Sequence, residues 1–183
     1  SSRIEKLFKE VEEKGLVKLP AVAIYYYIYK ALNADDTEEY FEKLQQLIKE
    51  NHAVFPQAEF KDILLFSINY AIRKLNEGDK SYLIKLFELY KEGVESKALL
   101  ESDFISQSTY NNIAKIGIGV KEFDWVQNFL LQYKPLLKKG IREDSYNYNL
   151  AILFWRQLKY DKVLDLLQQV EFKDTMNNLL SRR

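Results

Sequence analysis

The chain has 183 residues, 47% of them hydrophobic, with 27 lysines and arginines against 27 aspartates and glutamates, so its formal net charge is zero. That apolar share supports a packed core and excludes an intrinsically disordered chain, while the balanced charge lacks the basic surplus with which a nucleic-acid binder displaces counterions from phosphates. With no cysteine, disulfides, thiolate metal sites and cysteine nucleophiles are excluded together.

The opening "SSRIEKLFKE" is no signal peptide; it places Ile4, Leu7, Phe8 and Val11 on one face of a helix. Pro20 suits the first turn of the next helix, where a missing N–H costs nothing. That helix carries "AIYYYIYKAL", whose four tyrosines surround it, so they predict an aromatic helix sandwiched between neighbours with one ring or more left for solvent or a partner. "ADDTEEYFEKLQQLI" begins with Asp35, Asp36, Glu38, Glu39 and Glu42, a density that suits a positive helix N-terminus better than a carboxylate metal site. His52, the single histidine, sits at the end of that helix with no second histidine or cysteine to make a metal site or a catalytic pair.

Pro56 introduces a long helix to about Asn76 that Gly78 closes, and "DKSYLIKLFELYKEG" forms the next, ended by Gly93. Residues 94–105 are less regular and read as a linker. Helices are then expected at roughly 107–120, 123–137, 143–158, 160–170 and 174–183. Six glycines, three prolines and almost no period-2 alternation make this an all-α chain of about ten helices. No stretch nears the ~18 apolar residues that span a membrane, and with cysteine absent the chain is expected to be cytoplasmic. Its last helix has no terminating glycine or proline, which suggests a piece of a longer chain.

The helices repeat. After Asn149 come Ala151, Tyr160, Val163, Leu166, Leu167 and Val170; starting 37 residues earlier, Asn112 is followed by Ala114, Phe123, Val126, Phe129, Leu130 and Tyr133. Another 43 residues earlier stand Asn69, Ala71, Leu83, Leu86, Phe87 and Tyr90, and a step of 42 more lands on Tyr27 with Phe41, Leu44 and Ile48. A small residue in the first helix of each pair lets the second approach, and the apolar cluster on the second must bury against its own hairpin and the next. The repeats cover approximately 19–50, 57–93, 106–137 and 143–172 of one domain, 1–183.

The last unit, "LAILFWRQLKYDKVLDLL", resembles a tetratricopeptide repeat: Leu150, Ala151 and Phe154 fit its first half, Val163 and Leu167 its second, and Tyr160 opens the second helix. Gly78 falls at the family's turn glycine, with Leu83 and Phe87 following at its spacing. The chain departs from the pattern at Asn147, where the family has tryptophan, at Leu158, where it has the turn glycine, and in its longer period, which HEAT-type pairs share.

The resemblance implies a right-handed α-solenoid of about four stacked antiparallel hairpins, whose first helices line a concave groove for an extended peptide. In that frame Asn69, Asn112 and Asn149 share one groove-facing position, where an amide can donate to and accept from a peptide backbone. Tyr26, Lys30, Lys115, Tyr148 and Arg156 flank it. The same asparagines can instead bond a neighbouring backbone carbonyl or fill a polar gap between repeats. No phosphate loop, Ser-His-Asp set or carboxylate pair in a recognisable context is present. The expected role is therefore a non-catalytic protein-interaction scaffold without metal or cofactor, whose partner is a protein or peptide and neither nucleic acid nor membrane. A structural or assembly spacer with possible self-association is the alternative, and an RNA-binding helical repeat is a third.

Overall fold

The structure, a computed structural model, describes residues 3–34 and 37–168. The expected helix at 174–183, Val170, and Asp35 and Asp36 lie outside them. The described residues contain no named strand, and eight α-helices follow in order: α1 (Arg3–Glu13), α2 (Pro20–Asn33), α3 (Thr37–Asn51), α4 (Gln57–Asn76), α5 (Tyr82–Glu95), α6 (Gln107–Gly119), α7 (Phe123–Tyr133) and α8 (Arg142–Arg156). Residues 160–168 are also helical. The chain divides between Ala98 and Leu99 into two compact units.

In the first unit α2 packs on α3 and α4 on α5. Their apolar faces meet in a core of Ile24, Phe41, Leu44, Ile48, Leu64 and Leu86, each at most 1% exposed. Contacts between the pairs fix direction. The Tyr25 hydroxyl donates to Glu59 and the Tyr70 hydroxyl to the carbonyl of Ala31, so α2 and α4 run the same way. Lys85 pairs with Glu42 at 3.2 Å and His52 approaches Glu92 at 3.5 Å, so α3 and α5 also run parallel.

The second unit repeats the scheme. α6 packs on α7, both contact α8, and the core holds Tyr110, Ile113, Ala114, Val126, Leu130 and Leu153. Ser106 caps α6 by accepting the Thr109 N–H at 3.1 Å, which satisfies one of the orphan donors of the first turn. Residues 96–106 are irregular, as expected, with one isolated bridge between Glu101 and Phe104. The expected end of α5 at Gly93 needs correction. Gly93 is a buried helical residue; the helix runs on to Glu95, and it is Lys97, at φ 63°, that takes the left-handed conformation beyond it.

Among the described residues one turn recurs three times. After α4, Gly78 N–H bonds the Leu75 carbonyl and Asp79 N–H the Lys74 carbonyl; after α6, Lys121 bonds Ile118 and Glu122 bonds Gly117; after α8, Leu158 bonds Trp155 and Lys159 bonds Phe154. This is the Schellman closure, which needs a positive φ at its pivot. The pivots Gly78, Lys121 and Leu158 have φ 102°, 67° and 61°, and are spaced 43 and 37 residues apart, the intervals that separate the asparagines. Two of the three lack glycine and bear the steric cost of a Cβ in that region. Lys121→Gly is therefore expected to stabilise the chain by about 0.5–1 kcal/mol. Gly78→Ala, whose new Cβ would meet nothing within 4 Å, should lose stability from backbone strain alone. Urea midpoints test both signs, and a Lys121→Gly variant weaker than the parent would refute the assignment.

Candidate functional site

The three repeated asparagines do not share one environment, which corrects the expectation of equivalent groove-facing amides. Asn69 on α4 and Asn112 on α6 are exposed, whereas Asn149 on α8 is 2% exposed. Its Nδ2 donates to Asn111 Oδ1 at 2.7 Å and to the Ser145 carbonyl at 2.8 Å. One turn earlier, Gln107 Nε2 donates to Ser145 Oγ at 2.9 Å. Each pair is 38 residues apart, so α6 and α8 lie side by side, parallel and in register, joined by a seam of amides and a hydroxyl.

Helix geometry then places the neighbours. One residue turns the helix by about 100°, so Asn112 follows Asn111 onto one side of the seam, and Tyr148, preceding Asn149, reaches that same side because the helices are parallel. Lys115 lies one turn after Asn111, on the flank that Asn112 shares. Tyr110 points the other way, where its hydroxyl donates to the Leu130 carbonyl of α7 at 2.8 Å. Asn112, Lys115 and Tyr148 are all exposed, Tyr148 at 60%, on the flank away from α7. Arg156 is exposed at the C-terminal end of α8.

In the first unit Tyr26 and Lys30 are engaged, and so do not form an open groove wall. Tyr26 is 7% exposed and its hydroxyl donates to Glu12 of α1, which also pairs with Lys30 at 3.0 Å. Burial, then the Glu12 carboxylate, push the Tyr26 phenol up to about 12. Tyr29 stacks on Phe8 of α1 at 4.5 Å and Tyr27 packs near Tyr40 of α3 at 6.2 Å. Tyr25, 44% exposed, is the ring left to the surface. The aromatic helix is thus sandwiched, as its composition suggested.

Between α3 and α5 runs a cleft of about 100 Å³ lined by Gln45, Lys49, Glu88, Leu89, Glu92 and Glu95, among others. Glu92 is 15% exposed, and His52 lies 3.5 Å from it. Burial pushes its carboxyl above the usual range and Glu95 adds to this, while His52 and Lys49 pull it back. A carboxyl that binds its proton more tightly when folded makes its charged form a cost at neutral pH; the cost fades as pH falls through the folded pKa toward the ordinary value of about 4.3. Glu92→Gln is accordingly expected to raise the thermal midpoint at pH 7, with the gain shrinking toward pH 4. A drop at pH 7 would mean that contact with His52 outweighs burial.

Among the described residues there is no group of three or more histidines, aspartates and glutamates placed to hold a metal ion, and no helix long and apolar enough to cross a membrane. Comparison with family models, with curated proteins and with solved structures yields no match. The site rests on its own geometry.

Proposed function

We propose that the chain is a non-catalytic protein-interaction module, a right-handed α-solenoid of about four tetratricopeptide-like hairpins that binds an extended segment of another protein along its first helices. The observation that carries this is the α6–α8 pair. Two first helices are locked in parallel register by their polar seam and present Asn112, Lys115 and Tyr148 on one exposed flank. An amide, an ammonium and a phenol in that arrangement can engage a peptide backbone, an acidic side chain and an apolar one, respectively. The parallel courses of α2 with α4 and of α3 with α5, together with the recurring Schellman turns, support stacking of like hairpins within each unit.

The test is a screen of the purified chain against a library of short disordered peptides, run beside Asn112→Ala/Lys115→Ala/Tyr148→Ala. All three residues are exposed, so the variant is expected to fold, and to lose binding by about ten-fold or more, as hot-spot truncations do. Asn149 is kept out of this variant because its loss would disturb the fold. The assembly alternative draws on a different observation, the exposure of Trp155, Tyr160, Leu164 and Leu167 at 48–59%. A chain that binds no peptide but self-associates, and loses that association with Trp155→Ser/Leu164→Ser, is an assembly element.

A further inference from the structure

None of the residues of α1 is buried. Phe8 and Glu12, four positions apart and so on one face, anchor the helix to the first unit. Phe8 stacks on Tyr29 at 4.5 Å and meets Tyr26 edge-on at 5.9 Å, while Glu12 accepts a hydrogen bond from the Tyr26 hydroxyl and pairs with Lys30 at 3.0 Å. Ile4 and Leu7, on the same apolar stripe, remain 54% and 56% exposed, so α1 fills its seat only in part. It is joined to the rest of the unit through Gly15, at φ 64° with nothing within 4 Å of where a Cβ would stand.

We propose that the surface made by Tyr26, Tyr29 and Lys30 is a docking site for a helix of a partner protein, and that α1 is its internal competitor. The chemistry of the occupant follows from what the seat offers. Two phenol rings take an aromatic side chain, and an ammonium beside a phenolic O–H takes a carboxylate one helical turn later. A partner helix with that pair and a longer apolar stripe can cover more of the surface than α1 does. Tethered close to its seat, α1 competes at millimolar effective concentration, so a partner's apparent affinity falls by the fraction of chains in which the seat is open. This surface is distinct from the α6–α8 flank, and peptide binding there is not required for it.

The probe is a fluorescein-labelled peptide of residues 3–13, titrated into the full chain and into the full chain carrying Phe8→Ala/Glu12→Ala. The peptide is expected to bind the variant about ten-fold or more tightly than the parent. Adding Lys30→Ala to the variant, or both alanines to the peptide, should abolish the difference. Equal affinity for parent and variant would overturn the proposal. Hydrogen exchange on the parent is an independent arm that does not rely on the variant's folding. The α1 amides should exchange about 100-fold faster than those of α2 and α3, and equal protection would make α1 an integral part of the unit. A parent that sediments as a dimer, and as a monomer once Phe8 and Glu12 are replaced, would assign the seat to α1 of a second copy and overturn the partner-helix proposal.

Discussion

Phe41→Ala is expected to cost about 3–5 kcal/mol, the largest loss from any single truncation proposed for this chain. Phe41 lies on α3 with no exposed surface; its ring stacks on Tyr70 of α4 at 4.9 Å and tilts against Tyr82 of α5 at 5.3 Å. One side chain therefore joins the α2–α3 hairpin to the α4–α5 hairpin. Truncation removes the transfer free energy of an aromatic ring, opens a cavity against two large neighbours, and removes ring-pair interactions worth about 0.5–1.5 kcal/mol each.

Phe41→Leu, which keeps most of the buried apolar volume and leaves a smaller cavity, is expected to cost less than Phe41→Ala. Urea denaturation followed by far-UV circular dichroism measures the change. A loss below about 1 kcal/mol would mean that the two hairpins do not depend on this contact.

What the sequence made legible was whatever repeats along one helix. The 3- and 4-residue apolar spacing located α1 through α8; of the three repeated alanines, Ala71 and Ala114 are fully buried and Ala151 only half-buried. The turns were harder, because Lys121 and Leu158 adopt a conformation usually announced by glycine, while Gly93 lies inside α5 and marks no turn. Packing between distant elements was harder again. Tyr26 and Lys30 read as groove residues from their place on a first helix, but nothing local reveals that Glu12 and Phe8 come to rest on that face.

The asparagines show the limit most sharply. Aligning the hairpins by their turns gives a step of 37 and pairs Asn149 with Asn112. The seam between the helices has a step of 38 and pairs Asn149 with Asn111. A shift of one residue rotates the side chain by about 100°, enough to move it from an open flank into a helix interface. A signal for the seam was present: Gln107 and Asn111, then Ser145 and Asn149, are two polar pairs at i, i+4, themselves 38 residues apart. It is weak, because polar residues at helical spacing ordinarily mark a solvated face.

Asn149→Ala should consequently destabilise the chain by about 1–3 kcal/mol, while Asn69→Ala and Asn112→Ala each stay within about 0.5 kcal/mol of the parent. Truncation deprives Asn111 Oδ1 of its amide donor and removes the second, side-chain bond to the Ser145 carbonyl, at a position only 2% exposed. Asn111→Ala removes the same bond from its less buried end and should cost less. Because the two amides serve one interaction, their effects should not add. The double variant is expected to recover about 1 kcal/mol relative to the sum of the singles, since replacing both partners leaves fewer orphaned groups than replacing one. Four urea denaturation curves measure that coupling. Zero coupling, or equal losses at positions 69, 112 and 149, would return the three asparagines to a common role. A coupled Asn111–Asn149 pair would instead make the amides the device that holds α6 and α8 in parallel register, with Asn112, Lys115 and Tyr148 exposed on one flank.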